Sequence, residues 1–299
     1  MGIIHFAGLG RSPGAVTSGL CYLKMEKDRF KDEFKGEVVE KVVIFTTPEV
    51  ARGVERVDEV VDNEYMERRE RRPWREGLSP LEVVRDFLRE EFGEREHFYV
   101  EVDANDFYKC FEAVAKALLK FHSPGDVGKH VWANITGGTN VLNAALAQVA
   151  HLSGFIPLLY YTFAARREDL KYLRPFSRRR EEFDFRWAWV PKTRFDERAL
   201  YVYEELDRCG RVKDSDLLDR LKSRYVEFEG MDLQTFRRDF LNVMPGIGRE
   251  GDHVNYLTEG GREMLKMLSS PLVKVLTRLE SYPQGELEKL HGDLKLEEL

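Results

Sequence analysis

Along the first half of the chain, short apolar runs alternate with stretches whose apolar residues fall three and four apart. The runs Ile3–Gly8, Val39–Thr46, His97–Val102, Lys129–Thr136 and Pro157–Phe163 predict five strands. They are apolar in nearly continuous runs rather than at every second position, the pattern of strands buried on both faces. Leu81, Val84, Phe87 and Leu88, then Phe111, Val114, Ala115, Leu118 and Leu119, mark amphipathic helices between them. Strand and helix in repetition predict an α/β fold, a parallel sheet covered by helices on both faces. Phe183–Val190 alternates like a further strand. Asp62–Gly77, polar and arginine-rich, reads as a surface excursion, and Arg166–Arg180 as a charged connector.

From Phe195 the period changes. Asp196–Arg208, Lys213–Arg224 and Met231–Asn242 read as three amphipathic helices with short links. Pro245 and the glycines at 246, 248 and 251 then break the chain, and residues 253–268 start as a strand and return to helix. Three helices, a short ribbon and a helix is the order of a winged helix-turn-helix, and YLTEGGREML is similar to the wing-to-helix segment of such domains. Pro271–Ser281 predicts one more helix before a charged tail. The expected division is 1–190, 191–270 and 271–299.

Composition narrows the classes. A chain of 299 residues, 42% hydrophobic, can bury two ordinary cores, which excludes wholesale disorder. A net charge of −6 excludes a protein that coats nucleic acid by charge alone, so any phosphate binding must be local. Cys21, Cys110 and Cys209 are too scattered for a disulfide framework or a cysteine-built zinc site, and fit a reducing cytoplasm. No apolar run approaches the ~20 residues of a membrane span, so the expectation is a chain neither exported nor membrane-bound. With 33% charged residues and few Asn and Gln, a thermophilic source is expected.

Two turns carry the candidate chemistry. Gly8–Gly14 (GLGRSPG) follows the first strand and opens a helical stretch. Gly8-Leu9-Gly10 is similar to the start of a dinucleotide fingerprint, but Pro13 stands where the third glycine belongs. The second strand ends Phe45-Thr46-Thr47-Pro48, without a carboxylate for a ribose. NAD is therefore rejected, and no cofactor is expected. Two readings remain open. One is an anion site, where backbone amides face one point, Ser12 offers a hydroxyl and a helix N-terminus adds its dipole. The other is a plain tight turn. Ile135–Asn140 (ITGGTN) again leaves a strand and opens a helix, with Thr136 or Thr139 able to cap and Gly137 and Gly138 able to let backbone approach a ligand. Ligands of open parallel sheets sit beyond the carboxyl ends of strands, so both turns would face one crevice. The seven histidines form no HxxxH or HExxH pattern, no metal is expected, and His5, inside the first strand, reads as a core residue.

GLGRSPGAVTSGLCYL together with NITGGTNVLNAALA resembles the CARF domain of type III CRISPR defence, closest to its ring-nuclease branch. The resemblance covers about residues 1–190, and winged helices also follow CARF domains in such proteins. It implies a Rossmann-like sheet, a homodimer, and a cyclic oligoadenylate ligand, most often cyclic tetra-adenylate, bound across the twofold axis. It further implies metal-independent cleavage to linear products with a 2′,3′-cyclic phosphate. Ser12 would orient the reacting phosphate, while Gly10, Arg11, Pro13, Thr136, Gly137, Gly138, Thr139 and Asn140 would hold the ring. In-line attack by a 2′-hydroxyl needs alignment and charge stabilisation, which such groups can give.

The chain also departs from the family. Many relatives end the second loop with Lys or Arg, where this chain has Asn140. Replacement charge is expected from the connector 166–180, which has seven cations against two acids. Arg166 and Arg167 are its candidate ligand-binding residues. Lys171 is the candidate for the downstream lysine of ring nucleases. The plainer reading is a solvated loop paired with Glu181 and Glu182. Of Tyr160 and Tyr161, one is expected to face the crevice.

Residues 195–269 carry twelve Lys and Arg against sixteen Asp and Glu, and the third helix balances Arg237 and Arg238 with Asp232 and Asp239. DNA as a partner is possible but disfavoured by that charge, and a scaffolding winged helix is preferred. The rivals to a ring nuclease are a ligand-gated transcription regulator and a sensor that binds without cutting.

Overall fold

The computed structural model describes residues 2–30, 38–57, 79–121, 131–164, 183–191, 196–251, 253–279 and 282–299. Two units divide the chain, residues 1–193 with 278–299, and residues 194–277.

The first unit is built on a seven-stranded sheet. Its strands are β1 (Ile4–Leu9), β2 (Lys41–Thr46), β3 (Phe98–Glu101), β4 (Val131–Asn134), β5 (Leu158–Ala164), β6 (Phe183–Trp189) and β10 (Glu297–Glu298). The order is β10-β3-β2-β1-β4-β5-β6. The five central strands are parallel, as the continuous apolar runs predict, and the two edge strands are antiparallel. Its helices are α1 (Gly14–Met25), α2 (Pro48–Ala51), α3 (Pro80–Phe92), α4 (Phe107–Phe121), α5 (Asn140–Ser153) and α11 (Gln284–His291). This is a mixed α/β fold with the central strand order of a Rossmann-like sheet.

Alternate strand residues feed two core layers. Ile3, Ala7, Leu9, Val42, Ile44, Trp132 and Tyr160 pack against Val16, Leu20, Val84 and Leu88 of α1 and α3. On the opposite face Phe6 meets Phe45 and Phe121, beneath α4 and α5. Helix α1 is buried along most of its length, which holds the turn preceding it in place. The last residues, expected to form only a charged tail, supply α11 against α4 and the edge strand β10 beside β3. A strand of only two residues, both glutamates, has no apolar run by which to recognise it.

The second unit begins with α6 (Glu197–Cys209), β7 (Val212–Lys213), α7 (Asp214–Arg224) and α8 (Leu233–Phe236), which continues as a π-helical turn over Arg237–Leu241. It ends with β8 (Ile247–Glu250), β9 (Val254–Leu257), α9 (Glu259–Leu268) and α10 (Pro271–Thr277). β9 lies between β7 and β8, antiparallel to both. The expected single helix 231–242 is thus shorter and changes its hydrogen-bond pattern midway. Its core joins Phe228, Phe236 and Phe240, with Leu217 and Leu221 buried in α7. Among the described residues, no helix is long and apolar enough to cross a membrane.

Candidate functional site

β1 and β4 are neighbours at the centre of the sheet; β2 and β3 lie to one side of them and β5 to the other. The carboxyl ends of β1 and β4 therefore form the switch point in strand order, where an open α/β sheet leaves a crevice. Residues 10–13 join β1 to α1 there, and residues 135–139 join β4 to α5.

The two turns pack on each other. A Cβ on Gly137 would stand 2.4 Å from the Gly8 carbonyl oxygen and 3.1 Å from Ala15 Cβ; one on Gly8 would stand 2.8 Å from the Gly137 carbonyl oxygen. Glycine at 8 and 137 is thus required by contact between backbones, a role that residue pattern alone did not reveal. Gly10 faces open space, and Gly138 turns the exposed tip of the second loop with φ 78°.

Polar side chains fix the pair of turns. The buried Asn134 amide donates to the Ala15 carbonyl at 3.0 Å, while its side-chain oxygen accepts from the Thr136 N–H at 2.9 Å. Thr46 Oγ1 donates to the Leu9 carbonyl at 2.9 Å, and the Thr136 hydroxyl accepts from the Thr162 N–H at 2.8 Å. Thr139, one of the two threonines expected to cap, caps α5 by accepting from the Leu142 N–H at 3.3 Å. Asn134 and Thr46 lie inside strand runs, where a polar residue carries no periodic signal, so they were not singled out from sequence.

Neither α1 nor α5 has an acidic residue in its first turn, so the positive ends of both dipoles are uncompensated there. Arg11, Gly138, Thr139 and Asn140 are exposed, Gly10 and Ser12 are half-buried, and Pro13 is buried as the N-cap of α1. The Ser12 hydroxyl has no partner among the described residues, while its carbonyl accepts from the Ala15 N–H at 3.1 Å. Arg11 is held by Glu55 at 3.0 Å in an exposed pair, which brings a carboxylate beside the first loop. The connector candidates Arg166, Arg167 and Lys171 lie outside the described residues. No group of three or more possible metal-ligating His, Cys, Asp or Glu residues occurs among the described residues.

Of the two tyrosines, Tyr160 is fully buried and Tyr161 is 40% exposed. The Tyr160 hydroxyl donates to His5 Nδ1 at 2.9 Å, and His5 Nε2 donates to the Val38 carbonyl at 2.9 Å. His5 is thus a satisfied core histidine. Burial pulls its pKa from 6.5 to about 4, and burial likewise pulls His97 to about 4. The unfolded chain then binds protons that the folded state refuses between those values. Stability from both residues is complete above about pH 6.5 and is lost as pH falls towards 4. Thermal unfolding followed down that range should show a falling midpoint, less steep in His5→Gln. An unchanged slope in the variant would contradict the assignment.

Two cavities lie at the β3 edge of the first unit. One, about 370 Å³, is lined by Arg52, Arg56, Ser79, Arg85 and Tyr99 among others. The other, about 800 Å³, takes Arg52, Glu101, Lys109, Lys116 and Asp293. The glycine turns line neither of them.

No protein-family model matches the chain. An uncharacterized protein of Archaeoglobus fulgidus is 27% identical over 203 residues, 58% of this chain and 60% of that protein. The chain therefore spans about 60% of the length of the curated relative it matches. Among solved structures, Can2 from Sulfobacillus thermosulfidooxidans in complex with cyclic tetra-adenylate aligns at 11% identity with a TM-score of 0.32, over 89% of this chain and 63% of that one. That score is too low to establish a shared fold.

Proposed function

We propose that the first unit is a CARF-type domain that binds a cyclic oligoadenylate, cyclic tetra-adenylate in the first instance, and opens it without metal. The reading rests on the resemblance of residues 8–23 and 134–147, and on one observation above all. The two glycine turns meet at the switch point of the sheet, and each leads into a helix whose first turn lacks an acid. A crevice of that kind favours an anionic ligand. A homodimer would present two such crevices to a ring whose phosphates repeat symmetrically.

In the proposed reaction a ribose 2′-hydroxyl attacks the adjacent phosphorus. The new P–O bond forms as the bond to the 5′-oxygen breaks. The hydroxyl proton leaves with attack and the 5′-oxygen gains a proton, giving a 2′,3′-cyclic phosphate and a free 5′-hydroxyl. Ser12 orients the reacting phosphate. Gly10, Arg11, Pro13 and the stretch Thr136–Asn140 hold the ring, and Arg166, Arg167 and Lys171 supply cations from the connector. Protein incubated with cyclic tetra-adenylate in EDTA should yield linear products separable by chromatography; unaltered ring would refute cleavage. Ser12→Ala should reduce turnover by about tenfold or more while changing affinity little. Equal losses in both would reduce Ser12 to a binding residue.

A non-cleaving sensor is the second reading. It is favoured by Asn140 at the position of the family's cation and by Glu55 beside Arg11. Residues 191–270, most of which belong to the second unit, are proposed as a winged helix that scaffolds rather than reads DNA. Arg237 is held by the buried Asp214 and Arg238 by Asp239, so both third-helix cations are already paired. This makes a DNA-binding regulator the weaker rival.

A further inference from the structure

Glu205, in α6, is completely buried, yet three arginines converge on its carboxylate. Arg208 bonds Oε2 directly, Arg224 Nη1 lies 3.1 Å from the same oxygen, and Arg220 Nη1 lies 3.9 Å from Oε1. A buried carboxylate requires a cation, and one well-placed guanidinium satisfies it. Here three are gathered, and their side chains remain 42–53% exposed. Two positive charges are left over at the surface. Glu204, whose carboxylate is 3.5 Å from the Tyr225 hydroxyl, reduces that excess on one side. Like charges held this close repel unless an anion lies between them.

A second feature adjoins the cluster. Tyr225 follows α7 directly, and its ring stacks on Tyr201 of α6 at 4.1 Å with planes 7° apart. Both tyrosines are partly exposed. Guanidinium forks match phosphate oxygens, and flat aromatic rings offer a surface for bases. An acidic peptide would use the forks but has no need of the aromatic pair. The three arginines gathered on Glu205 lie on α6 and α7, whereas Arg237 and Arg238 are each occupied by a carboxylate.

We infer that Arg208, Arg220 and Arg224, organised by Glu205 and flanked by Tyr201 and Tyr225, form a phosphate-binding site for the backbone of single-stranded nucleic acid. The site is separate from the proposed ring-binding crevice and stands whether or not that crevice cuts its ligand. The test uses the full chain and a short fluorescein-labelled single-stranded DNA, with anisotropy read across a salt series. Wild-type protein should bind in a salt-dependent manner. Arg220→Ala/Arg224→Ala should weaken binding by about tenfold or more at low salt and flatten the slope of log affinity against log salt by about 1.4. Arg237→Ala/Arg238→Ala should change neither quantity. If the double α7 variant fails to fold, Arg220→Ala alone leaves Glu205 with Arg208 and Arg224 and should flatten the slope by about 0.7. No wild-type binding, an unaltered slope in the α7 variants, or loss of binding in the Arg237→Ala/Arg238→Ala variant instead would overturn the inference.

Discussion

Gly137→Ala is expected to destabilise the first unit by about 1–3 kcal/mol and to remove ligand binding with it. The added Cβ would stand 2.4 Å from the Gly8 carbonyl oxygen and 3.1 Å from Ala15 Cβ. The first neighbour is backbone inside a central strand, so no flexible side chain can swing aside. Relief requires β1 and the β4–α5 turn to separate, which strains the Asn134 bond to the Ala15 carbonyl across the same seam. Thermal unfolding should show a midpoint several degrees lower than wild type. Gly10→Ala is the matched control, because a Cβ there meets nothing within 4 Å. A midpoint unchanged in Gly137→Ala would mean that the two turns do not bear on one another.

Gly10→Asp separates binding from folding. Open space around position 10 accepts the side chain without steric cost, so the unfolding midpoint should stay close to wild type. Its carboxylate would enter the crevice where the N-terminal ends of α1 and α5 are free of acids. A like charge at that point opposes a bound phosphate and cancels the attraction of the helix ends. Affinity for cyclic tetra-adenylate should fall by at least about tenfold, which corresponds to about 1.4 kcal/mol. Gly10→Asn, equal in size and uncharged, should lose much less. Equal loss in both would show that bulk rather than charge decides the effect.

The central strands were legible because burial on both faces leaves nearly continuous apolar runs, as in Ile4–Leu9 and Lys41–Thr46. The two turns were legible because glycines, threonines and a proline clustered at the ends of those runs. What the sequence did not disclose was tertiary pairing. Gly8 and Gly137 meet across more than a hundred residues, and Asn134 bonds a helix that begins far upstream. Strand β10 owes its place to pairing with β3, where the Glu297 carboxylate accepts from the Tyr99 hydroxyl, and not to any apolar run of its own. The π-helical turn at Arg237–Leu241 follows a helix start well capped by Asp232, so local propensity gave no sign of it. Glu205 shows the same limit, since an acidic residue on a helix reads as exposed until three arginines are seen closing over it.

Whether a paired-turn crevice at the strand-order reversal holds a cyclic nucleotide is decided by titrating cyclic tetra-adenylate into wild-type protein and Gly10→Asp in a calorimeter. The account predicts saturable binding at one ring per two chains for wild type, with an affinity weaker by at least about tenfold in the variant while its unfolding midpoint is kept. Absence of heat with wild type, or equal binding by both proteins, would contradict it.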